Sequence, residues 1–329
     1  MDDEHPLPGT LVILAVGVLG ATLIGFLGAW WWVFDLVANL RLHLAVLAAV
    51  LSVALLLARQ RGMALATFVG LLLNLALVAP LLLGGPAPAR ADASTLDVTF
   101  FNAKPGVDRD AMISHLEDRD DDVIVFASAT TSLVEDLETA DLGPTMVSGP
   151  HLHPHGLPIV VMTRDPDAEV TVREPSDQVR DWLVEAVVEL DGRPLHVLGG
   201  HPMSPKTSSR AERRDLVLDW IGEWSGRRDE AVLVVGDLNA TPWSVPFRSM
   251  LARSGLSDSQ RMHGVQPSWP AGTGPLGLPI DHVLHSDDLT VLQREVGPSF
   301  GSDHLMVHAR IARRATTAQG TKPATTTAG

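Results

Sequence analysis

The sequence predicts a mixed-sheet α/β sandwich that follows three membrane-spanning helices. Three observations predict it. Roughly the first quarter of the chain is almost wholly apolar and falls into three long segments. The remainder mixes short β-rich runs with amphipathic stretches, and several strands follow one another directly, which fits mixed sheets better than a strictly alternating parallel fold. One run, Ala231 to Val235, is continuously apolar, the pattern of a strand buried on both faces.

The apolar segments are about Gly9 to Phe34, Val37 to Ala58 and Met63 to Leu83. Each is near or above the roughly 20 residues a helix needs to cross the hydrocarbon core. Three in close succession exclude a simple cleaved leader, and the missing polar faces argue against a soluble bundle. Trp30, Trp31 and Trp32 end the first segment, where an interfacial aromatic belt belongs. Arg59 and Arg61 place the second turn in the cytoplasm, so everything after the third helix lies outside. The expectation is a multi-pass protein of the cytoplasmic membrane, in contact with the lipid bilayer, with residues 1–84 as an anchor. Arg41 and His43 read as interfacial snorkelling groups. Asn74 could pair between helices.

The chain has 329 residues, a net charge of -14 and no cysteine. The absence of Cys excludes disulfides, thiolate metal sites and cysteine nucleophiles. The acidic balance argues against broad attraction to nucleic acid. Residues 85–95 read as a Pro/Ala/Gly linker, 96–313 as the soluble domain and 314–329 as a disordered tail.

Within the domain, strands are expected at Leu96 to Phe101, Val123 to Phe126, Pro158 to Met162, Val170 to Arg173, Leu183 to Leu190, Pro194 to Leu198, Ile280 to Leu284, Thr290 to Val296 and His304 to Ile311. Helices are expected at Val107 to Leu116, Thr131 to Leu137, Ser209 to Glu223 with a Ser209/Glu212 capping box, and Pro246 to Arg253 closed by Gly255. Arg210, Arg213 and Arg214 read as a solvated helix face. The alternating His151, His153 and His155 read as a polar loop.

Polar groups gather at strand ends. Asn102 ends the first strand, and His201 follows the strand Pro194 to Leu198. Asp237 and Asn239 end the central strand, two residues apart and so pointing to one side. Asp281 lies in PIDHVL, and Asp303 with His304 in GSDH. Carboxylates hold hard divalent cations, which polarise a phosphoryl oxygen and lower the pKa of bound water. A histidine held by a carboxylate supplies a proton or a positive charge. The combination is what phosphoester hydrolysis needs.

FNA at 101–103, GHP at 200–202, GDLNATPW at 236–243, PSWP at 267–270, IDHV at 280–283 and GSDH at 301–304 occur in order. On these motifs the chain resembles the endonuclease/exonuclease/phosphatase superfamily, the DNase I-like proteins. HPMSP, NATPWS and the multi-helix anchor resemble its membrane branch, the VanJ-type glycopeptide-resistance proteins. The resemblance implies a four-layer sandwich of two mixed β-sheets flanked by helices, with the site at one end of the sheets. It implies that Asp303 ligates a metal, Mg²⁺ or Mn²⁺, and that Asn102 helps hold the metal or the phosphate. Asp281 would orient His304 toward the phosphate. Asp237 would position or activate the attacking water with Asn239 beside it, and His201 would contact the phosphate or protonate the leaving group. His282, adjacent to Asp281, faces the other way and reads as structural.

In one motif the chain departs from the family. The Gln-Glu pair that supplies the main metal ligand falls on Ala127 and Ser128. A serine hydroxyl is a weak, neutral ligand. Weakened metal binding, rescue by another residue and loss of catalysis all remain open. The functional expectation is a membrane-anchored, metal-dependent phosphoester hydrolase acting outside on a lipid-linked phosphate or a phospholipid headgroup. A binding or regulatory module of the same fold is the alternative. A nuclease fits less well, because the acidic chain lacks a basic, aromatic-bearing stretch.

Overall fold

The computed structural model describes residues 7–83, 85–140, 142, 145–148, 159–175 and 183–315. His151, His153, His155 and most of the predicted tail lie outside them. The helical region contains α1 (Leu7–Ile24), α2 (Trp32–Ala38), α3 (Arg41–Leu57) and α4 (Arg61–Leu82). The second region, the domain, then runs β1 (Thr95–Asn102), α5 (Arg109–Arg119), β2 (Val123–Ala127), α6 (Thr131–Thr139), β3 (Thr145–Ser148), β4 (Val160–Thr163), β5 (Glu169–Arg173), β6 (Leu183–Leu190) and β7 (Arg193–Gly200). It continues through α7 (Ser208–Gly226), β8 (Ala231–Asp237), α8 (Val245–Ser254), β9 (Ser257–Asp258), β10 (Asp281–His285), β11 (Leu289–Val296) and β12 (Val307–Arg313).

The strands form two mixed six-stranded sheets, ordered β11-β12-β1-β2-β4-β3 and β5-β6-β7-β8-β10-β9. The β1–β2 and β7–β8 pairs are parallel. Alternation along β8 explains its unbroken apolar run. Ala231, Leu233 and Val235 join Val98, Phe100, Val125, Val197 and Val283 between the sheets. Val232 and Val234 face the other way, under Val217 and Ile221 of α7 and Phe247 and Met250 of α8. Each fully buried aliphatic side chain of this kind is worth about 1.5–3 kcal/mol. On the far side, α5 and α6 cover the first sheet with Met112, Leu116, Leu133 and Leu137 over Phe101, Ile124 and Phe126. The order is helices, sheet, sheet, helices, as expected.

Differences from the sequence reading have local causes. β12 begins at Val307, three residues after His304, because GSDH is a turn that enters the strand. The N-cap of α7 is Thr207, whose Oγ1 accepts from the Arg210 N–H; Ser209 already lies inside the helix. β3 and the two-residue β9 were not expected from the sequence; each is short and pairs at a sheet edge. The linker is strapped down: Ala89 bridges Arg314, the Arg90 N–H donates to Arg313 O, and Thr290 Oγ1 donates to Ala87 O.

The helices Pro8–Leu27 and Arg61–Leu82 are long and apolar enough to cross a membrane, and α2 with α3, bent by 60°, would be a third span. The first apolar segment is therefore broken, with Trp32 opening α2. Ile13, Val50, Leu65, Phe68 and Leu72 turn outward, which is consistent with association with lipid. Arg41 does not snorkel. It is buried, donating to Thr22 O at 2.8 Å and to Asn74 Oδ1 at 3.1 Å, while Asn74 Nδ2 donates to Thr22 Oγ1 at 2.9 Å. Three helices are thereby joined by polar contacts in an apolar setting.

The N-terminal end of α3 and the C-terminal end of α4 meet the domain; the turn with Arg59 lies at the opposite end. The Gly264 N–H donates to Leu81 O, His43 Nε2 lies 2.9 Å from Leu276 O, and Trp243 packs on Val78 and Leu81. Arg214 is buried rather than solvated, because its guanidinium meets Asp35 of α2 at 3.1 Å.

Candidate active site

The parallel β1–β2 and β7–β8 pairs bring several strand ends to one place. Asn102 ends β1, Asp237 ends β8 and Asp281 opens the antiparallel β10 directly opposite Asp237. Gly200 pairs with Gly236, and a Cβ on Gly236 would stand 1.9 Å from Gly200 O. Only glycine lets β7 approach β8 this closely, and the approach brings His201 beside Asp237.

At the centre, Asp281 Oδ1 and Oδ2 lie 3.1 and 3.0 Å from His304 Nδ1, which fixes the ring and turns Nε2 into the site. His304 Nε2 lies 3.3 Å from Asn102 Nδ2 and 3.7 Å from Asp237 Oδ2. Asn102 Nδ2 donates to Asp237 Oδ2 at 2.9 Å, and His201 Nε2 lies 3.4 Å from the same oxygen. The Asn239 N–H donates to Asp237 Oδ1 at 2.9 Å, with Asn239 in the left-handed region at φ 50. Its Nδ2 donates to Pro202 O, next to His201. Asn102, Asp237, Asp281 and His304 are buried; His201 remains open to solvent.

Charge is strongly organised here. Burial would raise the Asp237 carboxyl, but His201 and His304 outweigh it and push its pKa down to about 2. Burial, reinforced by the Asp237 charge and opposed by His304, raises Asp281. Burial disfavours the His304 imidazolium, yet Asp281, then Asp237 and Asp303, raise its pKa above the ordinary value. The imidazolium is thus held between carboxylates.

Asp303 sits at the rim, half-exposed. Its Oδ2 accepts from Lys104 Nζ at 2.6 Å and from Trp269 Nε1 at 3.0 Å, and its Oδ1 lies 4.0 Å from His304 Nε2. Burial works against its charge, but Lys104 and Trp269 hold its carboxyl below the usual value. Ser128 follows Ala127, the partner of Asn102 across β1–β2; it is buried, with φ 59. His282 points into the outer layer, with Nε2 2.8 Å from Ala240 O and its ring tilted against Phe247 at 4.4 Å between centroids.

Among the described residues, ligand atoms of Asp237, Asp281 and His304 lie within 4.8 Å of one another, so this group could hold a metal ion. Asn102 Oδ1 is buried without a hydrogen-bond partner and faces the same cluster through its own amide. This donor set of oxygens and one imidazole nitrogen fits a hard divalent cation. Asp303 stands outside the group.

The sequence reading missed three contributors. Lys104 follows the strand-ending Asn102 with no pattern to mark it, and Trp269 stands in PSWP with no role assigned to it. Ser268 Oγ accepts from the Asp281 N–H at 3.2 Å and helps to place that carboxylate.

A family model described as the endonuclease/exonuclease/phosphatase family matches residues 107–304. The chain belongs to this family. It is 29% identical over 108 residues to sphingomyelinase C 2 of Leptospira interrogans, a match spanning 29% of this chain and 17% of that protein. The chain thus spans about a sixth of that relative. Its fold is similar to an endonuclease/exonuclease/phosphatase family protein from Bacteroides thetaiotaomicron, at 13% identity and TM-score 0.54 over 68% of this chain and 100% of that one. It is also similar to the 3′ phosphatase NExo from Neisseria bound to a product DNA hairpin, at 19% identity and TM-score 0.51 over 65% and 98%.

Proposed function

We propose that the protein is a phosphoester hydrolase, held at the cytoplasmic membrane with its site outside, acting on a lipid-linked phosphate or pyrophosphate. The single observation that carries this reading is the buried Asp281–His304 pair aimed at Asp237 and Asn102. The rim supports the lipid part: Trp269 touches Asp303, and the same loop reaches His43 of α3 through Leu276 O. Leu276 itself is 70% exposed beside that helix. The likeness to a sphingomyelinase supports a phosphorylated lipid headgroup, and the resemblance of HPMSP and NATPWS to the VanJ-type proteins points to a cell-envelope precursor.

In this reading His304, as imidazolium, and Asn102 Nδ2 face the phosphoryl oxygens. Asp237, too weakly basic to remove a proton efficiently, accepts hydrogen bonds from the attacking water and orients it. Water's oxygen bonds to phosphorus as the ester P–O bond breaks, the proton the water loses passes to solvent through the open edge, and His201, at that edge, donates a proton to the leaving oxygen and regains one from solvent. With His304 protonated, and so without a free ring nitrogen, Asp237 and Asp281 with the unpaired Asn102 Oδ1 would hold a Mg²⁺ or Mn²⁺ ion. Such an ion, when bound, supplies charge against the phosphoryl oxygens.

One observation favours a second reading, a weakened metal site in a binding or regulatory module. The Lys104 ammonium is bonded to Asp303, the expected ligand, and the family's glutamate is Ser128. One experiment separates the readings. Phosphate release from lipid pyrophosphates is measured with Mg²⁺ or Mn²⁺ for the wild type, Asp237→Asn and His304→Ala. Each variant should lose roughly 10²-fold or more in kcat; unchanged activity in both sinks the assignment. An inactive wild type that gains Mg²⁺ binding and activity in Ser128→Glu supports the second reading.

A further inference from the structure

The contact between α2 and the domain is too polar for a tether. α2 reads WVFDLVA, and its one carboxylate, Asp35, is 1% exposed. Every partner of that carboxylate lies in the domain. Oδ2 accepts from Arg214 Nη2 at 3.1 Å and from Ser244 Oγ at 3.0 Å. Oδ1 accepts from the Val245 N–H at 2.7 Å. Val245 is the first residue of α8, and its N-cap Ser244 makes no side-chain cap bond to that helix. α2 therefore caps α8 from outside.

One turn on, Asn39 faces the same way. Its Oδ1 accepts from Thr241 N–H at 3.0 Å and Thr241 Oγ1 at 2.7 Å, and its Nδ2 donates to Asp35 O. Gly28, just before α2, has no room for a side chain against Val245 and Asp35. Arg214 carries the connection to the site: its Nη1 donates to Asn239 O at 3.1 Å. Asn239 in turn binds Asp237 and the carbonyl of Pro202, beside His201. Asp35 of α2, its C-cap Asn39 and one arginine thus hold Asn239, Thr241, Ser244 and Val245, the whole return from the site to α8. Burying a carboxylate is costly unless it is fully paired, and such pairs add specificity of arrangement more than stability.

We infer that α2 is part of the active-site scaffold: Asp35 and Asn39 are positioning residues that set the course of the chain from Asn239 to Val245, and the helical region does more than anchor. The activity arm of the test rests on the hydrolase reading; the structural arm does not. Asp35→Asn, Asn39→Leu and, as a control on the exposed face of α7, Glu223→Gln are made in the full chain and reconstituted in lipid nanodiscs. The first two should lower kcat roughly ten- to hundredfold with KM changed by no more than about twofold, as small misplacements near reacting groups do. The control should match the wild type. Independently, amide exchange at 239–245 should quicken about tenfold or more in both variants while Ala231 to Val235 keep wild-type protection.

Unchanged kcat and unchanged exchange overturn the inference. If the wild type hydrolyses none of the phosphoesters tried, the hydrolase reading fails, and exchange alone decides the clamp: faster upholds it, unchanged overturns it. If Asp35→Asn also strips protection from Ala231 to Val235, the milder Thr241→Val, which removes only the hydroxyl bond to Asn39, decides in the same way.

Discussion

At His304 two opposing effects meet. Burial would discharge the ring, and the Asp281 carboxylate at 3.0 Å keeps it charged. A raised imidazole pKa leaves the charged form populated below that pKa and loses it as pH rises through it. Activity that needs the imidazolium therefore has an alkaline limb above the ordinary histidine value of about 6.5. In Asp281→Asn the carboxylate is gone and burial remains, so the limb should move to lower pH. A pH–kcat/KM profile checks this; a limb that stays in place would remove His304 from that role. These strand-end groups were legible in the sequence because each stands at a fixed offset from an apolar run. Asp35 and Arg214 were not. One stands between two apolar segments with no pattern of its own; the other stands among charged neighbours and reads as solvent-facing. Their pairing joins positions 179 residues apart, which no local pattern encodes. Lys104 was hidden likewise, since its role depends on Asp303 arriving from the other end of the chain.

Among the elements, β8 does most to create the site. Its period-2 alternation serves two layers at once, and its last residues, Gly236 and Asp237, end the packing and begin the chemistry. The apolar run, the helix stop at Gly255 and most strand spans could be read from the sequence, since periodicity and turn residues are local signals. The Thr207 cap and the paired edges β3 and β9 could not, because partners elsewhere in the sheet decide them. The closest approach in the element lies at Gly236. Gly236→Ala would place a methyl on Gly200 O and force β7 from β8, and should cost ~3 kcal/mol or more. Denaturant unfolding measures it. A loss within the small range of an ordinary surface change would mean that the two strands can part without cost.

For the whole molecule, the helical region and the domain share buried polar contacts, so the orientation of one fixes that of the other. The turn holding Arg59 lies at the end of α3 and α4 away from the domain, and the chain has no native cysteine to confuse labelling. With the domain outside, a membrane-impermeant maleimide added to intact cells should label Glu223→Cys and spare Arg61→Cys; the reverse pattern would invert the topology. The order of strands in the first sheet carries a further consequence. β12 is synthesised last, yet it lies inside that sheet, between β11 and β1, where Thr95 to Phe100 pair with it. Asp303 and His304 immediately precede it. The apolar helices precede every described strand in the chain, and β1 keeps an open edge until β12 pairs with it. Among the described residues β12 is the one strand partner of β11, so the sheet is completed when the β11–β12 hairpin docks onto the free edge of β1. Until β12 pairs with β1, His304 has no fixed place beside Asp281.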